Sequence, residues 1–301
     1  MMFAICHPSI SKEAQIGLSL RILCGFGIDE IANAFLTNKE TVNKRLFRAK
    51  EKLKSEKVKI EFPSENEINK RLETVLTTLY LFFNEGYYSE SSDKVLRKDL
   101  CFEAMRLTHL LSENELTNQP NVYALLSLMY FHASRFDARN DENGEIILYK
   151  DQNEALWNYD LISKGVFFFK EASKTNKLTK YHLEAGIAYW HTVKEDTKEK
   201  WENILHLHNH LLYVEYSPIA ALNRTFAVSK VKGKIAAITE TEKIQLHENH
   251  LYHALLGELY TEVDNEKALK HLKNALALTK SHSDKNLISK KIIFLENLMP
   301  F

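Results

Sequence analysis

The chain has few of the residues that interrupt helices, with 5 prolines and 9 glycines among 301 residues. Glycine and proline are the strongest breakers of regular helical structure, and Leu, Ala, Lys and Glu, which are abundant here, favour it. The sequence therefore predicts an all-α fold almost throughout.

Cysteine is also scarce. Cys6, Cys24 and Cys101 lie far apart and form no CxxC pair, so we expect free thiols in a reducing compartment, with no disulfide framework or zinc site. No apolar stretch has the length of a membrane span, and the first residues lack the basic and apolar segments of a signal peptide. The sequence predicts a cytoplasmic protein without a membrane partner.

The formal net charge of the chain is zero, but its basic and acidic residues are unevenly distributed. Residues 1–60 hold 11 Lys/Arg against 6 Asp/Glu, whereas residues 61–301 hold 29 against 34. A basic segment on a mildly acidic body is typical of a region that faces nucleic acid and is attached to something else.

The first sixty residues have the pattern of three short helices. The first begins after Ser11 and stops at Gly25 and Gly27, and the second runs from Ile28 to Phe35. Thr37 or Asn38 can cap the third, which has an apolar stripe at helical spacing. The second and third helices have the lengths of a helix-turn-helix.

The third helix is strongly basic, which points to DNA. Nine Lys/Arg and three acids lie between Lys39 and Lys59. A recognition helix offers its first turns to base edges, while flanking cations contact phosphates. The side chains expected to face base edges are Lys39, Glu40, Asn43, Lys44 and Phe47, and those expected to contact phosphates are Arg45, Arg48 and Lys52. Asn43 could pair with an adenine edge and Phe47 could contact a thymine methyl group. The alternative is an amphipathic helix with a solvated, lysine-rich face.

These residues resemble region 4 of extracytoplasmic-function sigma factors. The resemblance rests on residues 18–21 (LSLR), 28–32 (IDEIA) and 41–50 (TVNKRLFRAK). It implies that the module reads the −35 promoter element and contacts the β flap of RNA polymerase core. It also implies base-facing roles for Asn43, Lys44 and Phe47 and a phosphate contact for Arg48.

The body of the chain reads as a helical array. Phe62-Pro63 interrupts the pattern, and Ser64 with Glu67 predicts a capping box, so we place a domain boundary between residues 1–62 and 63–301. Roughly eleven helical segments follow the first helix of the body. Leu256-Gly257, Tyr260, Ala268 and Ala275-Leu276 track the tetratricopeptide pattern, and the remainder predicts an irregular array of this type.

The body extends the resemblance to a sigma-factor subgroup that carries a C-terminal tetratricopeptide-like extension. The residues concerned are 79–87, the segment Asp151–Trp157, and Asn223-Arg224. The resemblance implies a regulatory role for the extension. Region 2 of that family would precede residue 1, so we expect that the chain as given does not initiate transcription alone.

No enzyme motif is evident, since a P-loop, a GxGxxG turn and a nucleophile elbow are all missing. Histidines at 206, 208 and 210 and at 247, 250 and 253 come without an HExxH motif. We expect a protein that is not an enzyme and has no cofactor or metal. Two functions remain: a sigma-type transcription factor, and a scaffold that binds a peptide or protein on the helical array, with the N-terminal helices only capping it.

Overall fold

The computed structural model describes residues 1–88, 96–142 and 145–298, and the fold of these residues is all-α, as predicted. Their β pairing is limited to an isolated antiparallel bridge between Asn140 and Ile146. In chain order the helices are α1 Met2–Ile5, α2 Lys12–Leu23, α3 Ile28–Ala34, α4 Lys39–Ser55, α5 Glu65–Tyr87, α6 Lys98–Glu113, α7 Pro120–Ala133, α8 Tyr159–Ala172, α9 Lys180–Trp190, α10 Lys198–Val214, α11 Pro218–Lys232, α12 Lys234–Glu242, α13 His250–Tyr260, α14 Asn265–Leu278 and α15 His282–Leu298.

The N-terminal helices begin at side-chain caps. The Ser11 hydroxyl accepts the amide of Ala14 at 3.3 Å at the start of α2, and the Asn38 side chain accepts the amide of Thr41 at 2.8 Å at the start of α4. After α2 the backbone enters the left-handed region at Gly25, with φ of 73°, a conformation that favours glycine. The short helix α1 carries no such signal in the sequence and was not predicted.

The start of α5 differs from the prediction. Ser64 is the N-cap residue, but its hydroxyl makes no capping hydrogen bond. The Glu67 carboxylate, expected to complete a capping box, instead accepts bonds from Lys70 at 3.0 Å and Arg71 at 3.2 Å. Two cations one turn further along the helix therefore compete for the carboxylate that the motif needs.

One hydrophobic core extends across residue 62, from Phe3 in α1 to Ala188 in α9. At this junction the rings of Phe26 and Phe82 meet edge to face at 6.0 Å. The guanidinium of Arg97 lies 3.2 Å from the Glu30 carboxylate. Residues 56–64 interrupt the helices at the predicted boundary, and the division of the chain into two domains there stays a prediction.

A second hydrophobic core runs from Trp201 to Leu295 and contains the segment with the tetratricopeptide-like pattern. Helices α13 and α14 pack closely there, because a Cβ added at Gly257 would lie 2.7 Å from the Leu272 side chain. Ala268 and Ala275 are fully buried in the same core. Small residues thus allow the paired helices to approach, as their spacing predicted.

Between Asp137 and Trp157 the sequence predicts an interruption of the helices, a polar loop around Gly144 with residues 146–148 as a short strand. In the structure the connection between α7 and α8 contains three 3-10 turns, Phe136–Ala138, Tyr149–Asp151 and Glu154–Leu156. Ile146, expected in a short strand, forms the isolated bridge with Asn140, while Gly144 lies outside the described residues. Ten α-helices follow α5 in the described chain. None of the helices formed by the described residues is long and apolar enough to cross a membrane.

Candidate nucleic-acid interface

Helix α4 separates a buried stripe from a polar face. Val42, Leu46 and Ala49 are buried in the first core, and Leu53 packs against it. The opposite face carries all the side chains predicted to contact DNA: Lys39, Glu40, Asn43, Lys44, Phe47, Arg48 and Lys52 are exposed, and Arg45 is half-buried. Spacing of three and four residues along a helix accounts for this division.

Ion pairs occupy the first turns of α4. The Lys39 ammonium lies 2.5 Å from the Asp29 carboxylate of α3, and Lys44 lies 2.5 Å from Glu40, one turn before it. Both pairs are well exposed, so each contributes little to stability and can open at small cost. These carboxylates hold both lysines along the helix surface.

A groove of about 420 Å³ lies between α4 and the start of α2. Its basic side chains are Lys44, Arg45, Arg48 and Lys52, and its opposite side carries Ser9, Ser11 and Ala14. The cations follow one edge of α4 at i, i+1, i+4 and i+8, so they form a row along the helix. A row of cations beside a groove, three of them exposed, is suited to a chain of phosphates.

The first turn of α2 was not expected at this site. A helix N-terminus carries partial positive charge and unpaired amide groups, which favour anions. The backbone amide of Glu13 and the Ser11 hydroxyl hydrogen-bond to the Glu13 carboxyl and hold its pKa below the ordinary value. Arg45 and Lys12 lower this pKa as well. The start of α2 and the basic row of α4 therefore act on the same space. Their separation by about thirty residues hides this from the sequence.

Two further side chains of α4 have defined surroundings. The Arg45 guanidinium lies over the Phe35 ring at 5.6 Å from its centroid, and this contact orients Arg45 toward the end of α3. Phe47 leaves 66% of its surface in water. A large exposed aromatic side chain between cations has no packing role in the described chain, which distinguishes it from a core residue.

A second groove, of about 550 Å³, lies where the end of α3 meets the helical array. It is lined by Leu36, by Tyr80 of α5, by Glu184 of α9 and by residues of α7, α10 and α11. The Tyr80 hydroxyl donates to the Glu184 carboxylate at 3.1 Å. Burial raises the pKa of Glu184 to about 7, against the opposing effect of Lys180. This groove is where the predicted peptide or protein ligand of the array would have space.

The histidine groups form pairs in the structure. The rings of His206 and His210 are 4.4 Å apart, and the Nδ1 atoms of His253 and His271 are 2.9 Å apart. Among the described residues no three His, Cys, Asp or Glu side chains are arranged to hold a metal ion.

Comparisons with known proteins identify relatives of this chain. The model of a protein family described as a family of unknown function (DUF6596) matches residues 71–173, a range that covers most of α5 and continues through α8. A protein of Rhizobium meliloti (strain 1021), named Uncharacterized protein R00370, is 32% identical over 288 residues, which are 94% of this chain and 68% of the relative. No solved structure matches the chain.

Proposed function

This chain belongs to the same family as protein R00370 of Rhizobium meliloti, and we propose that it is a sigma-type transcription factor. Helices α3 and α4 act as a helix-turn-helix, and α4 enters the major groove of a −35-like promoter element. The observation that carries the proposal is the row of Lys44, Arg45, Arg48 and Lys52 beside the start of α2.

Placement of charge supports a polyanion as the partner. The four cations line one groove, and Ser11 and Ala14 at the start of α2 lie on its other side. A solvated lysine-rich face, the alternative, needs neither a groove nor a helix N-terminus opposite the cations. Phosphates of one DNA strand would lie along this row while the first turns of α4 reach the bases.

We assign base recognition to two exposed residues of α4, Asn43 before the row of cations and Phe47 between Arg45 and Arg48. The Asn43 amide can donate to and accept from an adenine edge, and the exposed ring of Phe47 can contact a thymine methyl group. Lys39 and Lys44 would exchange their carboxylate partners, Asp29 and Glu40, for DNA acceptors.

The other roles follow from the resemblance to sigma factors. The N-terminal helices would also contact the β flap of RNA polymerase core, and the helical array would regulate them through intramolecular or partner contacts. Helices α2 and α3 pack on α5 while α4 packs on α2 and α3. A shift of α5 would therefore move the module without disturbing the face of α4 that we assign to DNA.

Enrichment from a random-sequence duplex pool tests the proposal. The chain is immobilised, bound duplexes are eluted and sequenced over several rounds, and the flap domain of RNA polymerase is tested separately for capture. We expect one short sequence motif to accumulate, and Asn43→Ala to relax the base preference at one position. A pool that stays random over repeated rounds contradicts a promoter-reading function.

A second candidate function is a peptide-binding scaffold of the tetratricopeptide type, without promoter function. The groove lined by α5, α7 and α9 to α11 favours it, since concave faces of helical arrays are suited to extended ligands. Capture of a peptide by a chain that selects no duplex would favour the scaffold over the sigma-type function.

A further inference from the structure

A separate cavity of about 620 Å³ lies within the array, away from the DNA face. Its walls are formed by the turn Tyr149–Asp151, the segment after α9, and helices α10, α11, α12, α13 and α15. Its volume is within the range of pockets that bind small organic molecules. Neither the promoter-reading role nor the peptide groove uses it.

Positive charge dominates the cavity. Its lining holds five lysines and two carboxylates, although residues 61–301 as a whole carry more acids than bases. Three lysines have carboxylate partners: Lys230 with Asp196, Lys234 with Glu262 and Lys291 with Glu258. The cavity therefore concentrates cations that the surrounding protein does not fully balance.

The remaining two lysines have no carboxylate of a described residue within salt-bridge distance. Lys150 is exposed and makes no side-chain hydrogen bond to any of those residues. Lys194 donates to the backbone oxygens of Tyr149 at 3.1 Å, Lys150 at 3.3 Å and Gln152 at 2.9 Å, which uses all three of its N–H groups. These carbonyls hold the Lys194 ammonium in place without neutralising it.

A further cation lies directly behind the wall. Lys200 is fully buried, donates to the Tyr149 hydroxyl at 2.8 Å and to the Val193 oxygen, and lies over the Tyr149 ring at 4.9 Å. Again no carboxylate of the described residues pairs with it. Cation–π contacts and carbonyls offset part of the cost of burying an ammonium. An anion in the adjoining cavity would offset more.

Aromatic rings form the apolar part of the same walls. Trp201 and Phe226 meet edge to face at 5.5 Å, and Tyr149 stacks on Trp157 at 6.3 Å. The Lys230 ammonium lies 5.3 Å from the centroid of Trp201. Phe226 keeps 38% of its surface accessible, so a flat ring could pack against it while an anionic group reaches the lysines.

We propose that this cavity binds a small organic anion with a flat ring, which packs on the aromatic walls and pairs with Lys150 and Lys230, while the charge of Lys194 adds to the attraction. Two sources of this chemistry are an aromatic carboxylate and a nucleotide. The inference is independent of the DNA-reading role, because it uses none of the residues of α2, α3 or α4.

Isothermal titration calorimetry on the full chain tests the proposal with four probes. The anions are 2-naphthoate and ADP, and their neutral counterparts are 2-naphthalenemethanol and adenosine. We expect at least one anion to bind with Kd below about 1 mM and its neutral counterpart to bind at least about tenfold more weakly. The anion that binds with the lower Kd shows whether the ligand is an aromatic carboxylate or a nucleotide. No binding of either anion, or equal binding of the neutral counterpart, would overturn the proposal.

Variants locate the binding. Lys150→Gln/Lys230→Gln should raise the Kd of the bound anion at least about tenfold by weakening attraction to its charge. The matched control, Lys164→Gln/Lys170→Gln, removes two exposed lysines of α8 that have no ion pair among the described residues. Phe226→Ala should weaken binding without changing the net charge. Equal Kd values in the Lys150→Gln/Lys230→Gln variant and the control would also overturn the proposal, and thermal unfolding verifies that each variant is folded.

Discussion

Two regions of the molecule concentrate positive charge, and they do so in opposite ways. On α4 the cations form a row in which three of the four are exposed, and Lys44 can exchange its exposed carboxylate partner. In the array the cations surround a cavity whose walls also carry aromatic rings, and the Lys200 ammonium directly behind the wall is fully buried. An open row suits an extended polyanion, whereas an enclosed cluster suits a small ligand. The environment of the charges, more than their number, distinguishes the two sites.

The largest expected effect separates these sites by mutation. Asn43→Ala/Lys44→Ala/Arg48→Ala should raise the Kd for the selected duplex by roughly 100-fold or more, because each lost base or phosphate contact costs on the order of 1 kcal/mol or more. Fluorescence anisotropy measures this Kd. Binding of the small anion to the array should be unchanged.

The control for the triple variant is Lys164→Ala/Lys170→Ala, which removes exposed charge from α8. Circular dichroism should show the same helical content in both variants. A Kd for DNA that rises equally in the control and the triple variant would mean that net charge alone drives binding.

Salt should affect the two sites unequally. If the four cations of the row each neutralise a phosphate, the affinity for DNA should fall about 100-fold between about 50 and 200 mM salt through release of counterions. The affinity for the small anion should fall far less, since a small anion makes fewer ionic contacts than a row of phosphates and releases fewer counterions. Parallel titrations at several salt concentrations measure both slopes. Equal slopes would contradict the distinction between an open and an enclosed site.

Tyr149→Phe should lower the stability of the helical array and leave DNA binding unchanged. The variant loses a hydroxyl that accepts from Lys200 and donates to the Val193 oxygen at 3.0 Å, which should lower the free energy of unfolding by about 1–3 kcal/mol. Tyr159→Phe is the matched control, because the Tyr159 hydroxyl donates to Glu154 at the surface. Chemical denaturation compares the two. DNA binding at a temperature where both variants are folded should stay at the level of the unsubstituted chain.

A further expected effect is a pH dependence of stability caused by Glu184. Burial raises the pKa of this carboxyl from 4.5 to about 7 in the folded chain. Between these values the folded state holds a proton that the unfolded state releases, so the stability contributed by this group falls as pH rises from 4.5 to about 7. Glu184→Gln should remove that fall, measured by denaturation at several pH values.

Glu248→Gln serves as the control for this pH effect, since Glu248 is exposed and has no salt bridge to the described residues. Its pH profile should follow that of the unsubstituted chain. An unchanged profile for Glu184→Gln would contradict the assigned pKa and its cause.

Local features of the fold were predictable from the sequence. The caps at Ser11 and Asn38 and the buried stripe of α4 follow from residue type and helical spacing. The close pairing of α13 and α14 follows from Gly257 and the alanines of α14. Each of these depends on residues less than about twenty positions apart.

Features that depend on distant residues were not predictable. The groove at α4 needs Ser11 opposite Arg48, and the array cavity joins Tyr149, Trp201 and Lys291. No spacing rule connects such positions. The predicted capping box at Ser64 failed for a local reason, because Lys70 and Arg71 compete for the Glu67 carboxylate.

The central claim is that α4 reads a DNA sequence, and the specificity ratio of the full chain tests it most directly. Competition anisotropy at near-physiological salt compares the duplex enriched from the random pool with the same bases in shuffled order. We predict that the enriched duplex binds at least about 100-fold more tightly and that Asn43→Ala reduces this ratio. Equal affinity for the two duplexes would contradict the claim and leave α4 as a basic surface without sequence recognition.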